Sequence, residues 1–317
     1  MKLLITGATG LVGQGLVQKC LESGWEVNYL TTSKNRLNSD VVGLHGFYWN
    51  PISTKIDENA LDDVSVIVHL AGASIAQRWT VANRKKILDS RVKGAQLIFD
   101  ALTRNNIKIK HFISASAIGC YPSSLTTQYD ESFEGYAQGF LGEVVEAWEN
   151  AALTFKNMGC KVSLMRTGII LDSKGGALPK IINPIKFGFG AALGSGKQWQ
   201  SWIHIEDTVN YYHHVITQNL EGIFNVVAPN PITNRELTKI AAQLLKRPLW
   251  LPAVPAFVLK ALLGKMATIV LESQYVIPAM AQSIHFSFKY TETAKALKDC
   301  IDTVSYTHLT LPTIYSV

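Results

Sequence analysis

Cysteine is scarce in this chain: Cys20, Cys120, Cys160 and Cys300 are scattered through 317 residues, and no two stand as Cys-x-x-Cys. That spacing excludes a disulfide framework and the usual zinc sites, and it fits a reducing compartment. Also missing is an unbroken apolar run long enough to span a bilayer. The nearest approach, residues 252–271, is interrupted by Pro255, Lys260, Gly264 and Lys265 and reads as a buried or half-buried helix. No run of Lys and Arg interleaved with aromatics marks a nucleic-acid face. The net charge of +6 would attract an anionic cofactor or substrate, or simply solvate the surface. No metal is expected either, because the adjacent His213 and His214 would point about 100° apart on a helix. The apolar stretch Lys2–Thr6 follows the first residue directly, which leaves no place for a cleavable leader and predicts a cytoplasmic protein. Neither nucleic acid nor membrane is expected as a partner.

What is present begins at once. Residues 3–13 read Leu-Leu-Ile-Thr-Gly-Ala-Thr-Gly-Leu-Val-Gly, an apolar run followed by glycines at Gly7, Gly10 and Gly13, and an amphipathic stretch follows. A strand, a tight glycine turn and a helix in that order lay backbone against a pyrophosphate. Gly7 and Gly10 clear side chains from the approach, Gly13 lets the helix press on the strand, and the helix amino end offers free N–H groups. In this context the motif is strong; an ordinary glycine-rich turn is the plain alternative.

Apolar runs then alternate with helical patterns. Strands are predicted at 2–6, 27–30, 64–70, 111–115 and 161–166, and helices at 15–23, 81–104 and 141–157. Strands apolar throughout imply burial on both faces of a parallel sheet. The predicted fold is therefore α/β, a doubly wound, Rossmann-like parallel sheet spanning 1–170 and completed by parts of 198–230. Glycine and proline become frequent after residue 170. Residues 171–303 read as a smaller, mostly helical substrate-side region, with helices at 234–246 and 255–263. The last stretch, 304–317, is rich in Thr, Tyr and Ser, shows no helical period, and is expected to be non-native or disordered.

A carboxylate at the end of the second strand would favour NAD over NADP. Here Thr31-Thr32-Ser33-Lys34-Asn35-Arg36 follows, with no acid, two threonine hydroxyls and two cations. A ribose phosphate fits that surrounding better, which predicts NADP(H); Lys34 and Arg36 also fit a solvated loop.

Further segments carry a resemblance: Leu70-Ala71-Gly72-Ala73, Asp89-Ser90-Arg91, Ser114 to Gly119, Arg166 to Leu171, Gly194 to Gln198, Ser201 to Asp207, Ala228 to Pro231, Leu251 to Pro255 and Phe286 to Tyr290. Over about residues 1–303 the chain resembles the extended short-chain dehydrogenase/reductase superfamily. The likeness is to an NAD-dependent epimerase/dehydratase-like branch with a C-terminal domain of unknown function. The resemblance implies that Thr9, Gly10, Leu11 and Val12 lie on the pyrophosphate and Thr31, Thr32 and Lys34 near the adenosine phosphate. It implies that Leu70, Ala71 and Gly72 line the cleft, that Arg91 and Lys86 reach the cofactor from a helix, and that Ile170 borders the nicotinamide. Arg91 also fits a surface charge beside Asp89. His204 and Asp207 are expected to be structural. The long helices 81–104 and 141–157 pair two subunits in many such proteins; with Arg84, Lys85, Lys86, Lys93 and Arg104 on the first, a monomer and a homodimer stay open.

The pattern breaks at the chemistry. Reductases of this superfamily set a Ser or Thr beside Tyr-x-x-x-Lys, the Lys tuning a phenol that is otherwise a poor base at neutral pH. Ser116 matches the first position, but Phe140 and Val144 stand where the Tyr and Lys belong. Tyr121 and Tyr136 are the candidates to reach the cleft from loops, and each also fits a packing role. Two functions stay open: an NADP(H)-dependent oxidoreductase or epimerase acting on a nucleotide sugar or small carbonyl compound, and an NADPH-binding regulator or sensor without turnover.

Overall fold

A computed structural model describes residues 1–309. Eight strands form one sheet: β1 Lys2–Thr6, β2 Glu26–Thr31, β3 Leu44–Asn50, β4 Lys55–Ile56, β5 Val66–His69, β6 His111–Ala117, β7 Lys161–Thr167 and β8 Gly222–Val226. Their order is β8-β7-β6-β5-β1-β2-β3-β4, and every neighbouring pair is parallel except β3 with β4. The chain starts in the middle, runs outward through β2 and β3, then returns to β5 on the other side of β1. That reversal opens a crevice beyond the carboxyl ends of β1 and β5, where doubly wound sheets bind ligands.

Both faces of the sheet are covered. The longer helices are α1 Leu11–Glu22, α2 Val81–Arg104, α3 Phe140–Leu153, α4 Leu178–Lys186, α5 Ile205–Thr217, α6 Asn234–Leu244 and α7 Ala256–Leu263, with a last one at Thr293–Leu309 and two short ones, Thr268–Leu271 and Ala279–Ser283, between. Alternate strand residues divide between two cores. Leu3, Ile5 and Val68 pack with Leu16 of α1 and Tyr211, Tyr212 and Val215 of α5. Leu4, Ile67 and Phe112 pack with Ile98 and Leu102 of α2 and Ala152 of α3. A third core joins α4, α6 and the last helix through Leu178, Ile182, Leu237, Ala241 and Leu297. Asp207 pins the carboxyl-terminal segment to α5 by accepting the backbone N–H groups of Lys289 (2.8 Å) and Tyr290 (2.9 Å). The His204 ring lies 3.9 Å from the Tyr290 ring, tilted by 33°, so His204 and Asp207 are both engaged within the fold.

Several boundaries move for local reasons. Gly10 is the N-cap of α1, so the helix starts at Leu11 rather than residue 15. The helix predicted at 141–157 splits into α3 and a 3₁₀ turn, Thr154–Met158, closed by Gly159 at φ +74°. The bounds of α2 agree with the sequence reading: Thr80 accepts the Asn83 N–H at one end, and Asn106 adopts φ +51° beyond the other. The last helix runs on through Leu309, against the expectation that helical structure stops before 304, while 310–317 lie outside the described residues.

Candidate functional site

The turn between β1 and α1 is built on close approach. Gly7 has φ +70°, and the Gly10 N–H donates to its carbonyl at 2.9 Å. A Cβ on Gly13 would sit 2.1 Å from that same carbonyl oxygen, and one on Gly7 would sit 3.0 Å from the Ala71 nitrogen. The amino end of α1 carries no side-chain cap and no acidic residue in its first turn. Its unpaired N–H groups and partial positive charge therefore face the crevice beside exposed Thr9 and Gly10. Leu11 and Val12 are half-buried just behind them. Ile170 comes to the same end: a Cβ on Gly176 would lie 3.2 Å from Leu11 and 3.4 Å from the Ile170 carbonyl oxygen.

Thr6 and His69 fix the facing wall. The Thr6 hydroxyl accepts the N–H groups of Leu70 and Ala71, both at 3.1 Å, and shares a 2.9 Å hydrogen bond with His69 Nδ1. Burial pushes the His69 imidazole down to about 4, so it is neutral at pH 7. Leu70, Ala71 and Gly72 are thereby held against the glycine turn. Sequence reasoning placed the loop but not the Thr6–His69 tie that positions it.

Arg91 is not a surface charge. Asp89 takes Lys85 at 3.0 Å and Lys93 at 2.9 Å, whereas Arg91 is 8 % exposed and turned inward. Its Nη1 donates to the carbonyls of Ala73 (3.0 Å) and Ile87 (2.9 Å), and the guanidinium lies 4.7 Å from the Trp148 ring centroid. A Cβ on Gly72 would come within 3.1 Å of it. Its buried Nε has no partner, and burial pulls its pKa down to about 10. No carboxylate pairs with it among the described residues, which leaves a desolvated cation in the wall of the crevice. Lys86 stands exposed nearer the start of α2. Beyond β2, the Thr31 hydroxyl accepts the Ser33 N–H at 3.1 Å, and Thr32, Lys34 and Arg36 are exposed. The residues present thus suit a dinucleotide: a tight glycine turn with little room for a Cβ, free amides, and cations where an acid would repel phosphate.

The three candidates for proton transfer gather around an ion pair, Glu149 with Arg166, that sequence reasoning missed. Glu149 of α3 is 1 % exposed, and Arg166 of β7 clasps it with Nε to Oε1 and Nη2 to Oε2, each at 2.9 Å. Ser116 donates to Oε1 at 2.5 Å and Tyr136 donates to Oε2 at 2.8 Å. Tyr121 donates to Asn225 Oδ1 at 2.8 Å and accepts from Arg166 Nη1 at 3.2 Å. Burial, with Glu149 beside it, raises the Tyr136 pKa; burial also raises that of Tyr121. Burial alone would lower the Arg166 pKa, but Glu149 more than offsets that, so the pKa is raised. Of the two readings of Tyr121, packing matches the structure: its ring is 1 % exposed and its hydroxyl is engaged inside the fold. Tyr136 is half-buried at the mouth of the network. Beside it opens a cleft of about 340 Å³ lined by Gly119, Ala137, Phe140, Arg84, Lys265 and Glu272, among others. Phe140 packs edge-on against Trp79 under the Arg84 guanidinium, and Val144 is buried.

Comparison with known proteins agrees with this architecture. The family model described as the NAD dependent epimerase/dehydratase family matches residues 3–227, and a domain of unknown function, DUF1731, matches residues 254–300. The epimerase family protein SSP1921 of Staphylococcus saprophyticus is 36% identical over 301 residues, covering 94% of this chain and 98% of that protein. The chloroplastic epimerase family protein SDR39U1 homolog of Arabidopsis thaliana is 36% identical over 302 residues, covering 94% of this chain and 86% of its own length. Among solved structures, the human epimerase family protein SDR39U1 (isoform 2), determined with NADPH, superposes with a TM-score of 0.82 at 28% identity, over 95% of this chain and 99% of that one.

Proposed function

The chain belongs to the NAD dependent epimerase/dehydratase family, and on that premise we propose that it binds NADP(H) in the β1–α1 cradle and acts on a small molecule in the cleft beside Tyr136. The observation that carries the reading is the uncapped, acid-free amino end of α1 behind three glycines, of which Gly13 leaves no room for a Cβ and Gly7 and Gly10 leave little. Its free amides suit a pyrophosphate. Lys34 and Arg36 beyond β2 suit a ribose phosphate, Arg91 adds a buried positive charge, and the NADPH held by the human relative supports the same choice. When bound, NADP(H) supplies a hydride donor or acceptor. The substrate class follows from that chemistry: a nucleotide sugar or another small carbonyl compound. Turnover requires Ser116 or Tyr136 to turn its hydroxyl hydrogen from Glu149 to the substrate oxygen, with Arg166 keeping the carboxylate compensated.

A second reading, an NADPH-binding regulator or sensor, is favoured by one specific feature. Ser116 and Tyr136 each have a single hydroxyl hydrogen, and both are engaged by Glu149. Fluorescence titration with NADPH and NADH tests the cofactor; equal affinity for the two overturns the NADP(H) assignment. NADPH oxidation over a panel of nucleotide sugars, aldehydes and ketones separates the readings. Turnover that falls in Ser116→Ala and Tyr136→Phe supports the enzyme. Tight NADPH binding without turnover across the panel supports the regulator.

A further inference from the structure

The carboxyl-terminal half carries a surface unlike the rest of the molecule. Phe187, Phe189, Trp250, Phe257 and Leu262 are 76%, 66%, 67%, 73% and 65% exposed, among the most exposed large apolar side chains described. Their segments run side by side. A Cβ on Gly190 would lie 2.7 Å from Leu249 Cδ2, and Leu193 bridges Val254, with hydrogen bonds Gly194 N–H to Val254 O and Val254 N–H to Ala192 O, both at 2.8 Å. Pro255, the N-cap of α7, follows directly. Only Leu259 of the eight residues in α7 is buried, although every residue of that helix except Lys260 is Ala, Val, Leu or Phe. An apolar helix with one buried residue has an unpartnered face.

The charge of the same segments is one-sided. Residues 173–205 and 237–271 contain no Asp or Glu at all. The cations there include Lys186, Lys246, Arg247, Lys260 and Lys265, and all but the half-buried Lys186 are exposed. We propose that this face docks on an anionic lipid surface, with Phe187, Phe189, Trp250, Phe257 and Leu262 entering the headgroup boundary and the surrounding lysines and Arg247 meeting the phosphates. A membrane-spanning segment is not needed for such contact, and no helix among the described residues is long and apolar enough to be one. Each of the five apolar side chains is about two-thirds or more exposed, and a fluid boundary that demands no fixed complementary shape suits them. The aromatic rings prefer that depth, and long basic side chains reach back to headgroups while their stems lie along apolar surface.

The test is sedimentation of the full chain with vesicles of phosphatidylcholine alone and of phosphatidylcholine mixed with phosphatidylglycerol. The chain is expected to pellet with the mixed vesicles and to stay in solution with phosphatidylcholine alone. The variant Phe187→Ser/Phe189→Ser/Trp250→Ser should lose at least ~10-fold in partitioning, and Lys246→Glu/Arg247→Glu should lose a similar ~10-fold. Circular dichroism melts matching the unaltered chain would show that both variants fold. Failure to pellet with the anionic vesicles overturns the proposal, as does equal pelleting with both vesicle types. A dimer seen by light scattering that the triple variant abolishes, without any vesicle binding, assigns the face to a second copy instead and equally overturns it.

Discussion

The clasp between Glu149 and Arg166 makes the sharpest stability prediction. The carboxylate receives four hydrogen bonds, two from the guanidinium and one each from Ser116 and Tyr136, at 1 % exposure. Replacing Glu149 by Gln keeps the shape but turns an amide N–H₂ toward one side of the pair, where the hydroxyl can rotate to accept but the Arg166 N–H is left facing a donor, and Arg166 loses its countercharge. Breaking one side of a buried ion pair costs about 3–5 kcal/mol, a large share of the roughly 5–15 kcal/mol that holds a folded domain. At this chain length each kcal/mol moves Tm by roughly 2 °C, so Glu149→Gln should melt about 6–10 °C lower by calorimetry. The double variant Glu149→Leu/Arg166→Met removes charge from both sides and should be less damaging than the sum of its singles. A melting point for Glu149→Gln within about 1 °C of the parent would refute the account, because the cost follows from burial and donor count alone.

Three further outcomes follow from the same geometry. Gly13→Ala would drive a methyl to 2.1 Å from the Gly7 carbonyl oxygen; overpacking of about 1–3 kcal/mol should weaken NADPH binding by ~10–100-fold in a fluorescence titration. Lys34→Glu/Arg36→Glu should cost NADPH ~10–100-fold in affinity and leave NADH unchanged, since charge-assisted hydrogen bonds contribute about 1.5–3 kcal/mol; equal losses for both would remove these cations from the phosphate site. His69 and His111 are both pushed down to about 4 by burial, so between pH 6.5 and 4 the unfolded chain binds more protons than the folded one. Stability should therefore fall as the pH falls through that window, by about 1.4 kcal/mol per pH unit for each imidazole, and level off below it; urea melts at several pH values, with His111→Gln as the comparison of shallower slope, check it.

The parts legible in the sequence are those whose signals are local. The β1 run, its glycines and the start of α1 lie within twenty residues, and α2 is bounded by its own cap at Thr80. The strand β3, next to the two-residue edge strand β4, escaped notice because Leu44-His45-Gly46-Phe47-Tyr48-Trp49-Asn50 mixes a glycine and polar residues along a half-exposed margin of the sheet. Its register with β2 is set by tertiary pairing, not by its own pattern. Glu149 was invisible for the opposite reason. Within α3 it reads as one more solvated acid near Glu143 and Glu146, and only its partner betrays it. Arg166 is a charge inside the otherwise buried strand β7, and such a charge is costly unless compensated, as by an acid or, for Arg91, by carbonyls and an aromatic ring. The strand pattern therefore points to a compensating partner; that it is the acid Glu149 depends on how α3 lies across β6 and β7.

The position where the superfamily pattern places its lysine is apolar and buried. Val144 occupies that position, is 3% exposed, and lies one turn before Trp148 on the same face of α3. The Arg91 guanidinium already sits 4.7 Å from the Trp148 ring, so the wall has a cation, supplied from α2 instead of α3. Val144→Lys would bury a second positive charge beside it. The substitution should therefore destabilise the protein by several kcal/mol, on the order of 3, rather than restore chemistry, even when Phe140→Tyr is added to complete the pattern. Thermal denaturation decides the matter: if Phe140→Tyr/Val144→Lys melts like the parent and gains NADPH oxidation on any small carbonyl compound, the wall accommodates the old pattern and Arg91 has not replaced it. If it melts lower, and Arg91→Leu added to it recovers part of the loss, the two cations compete for one place.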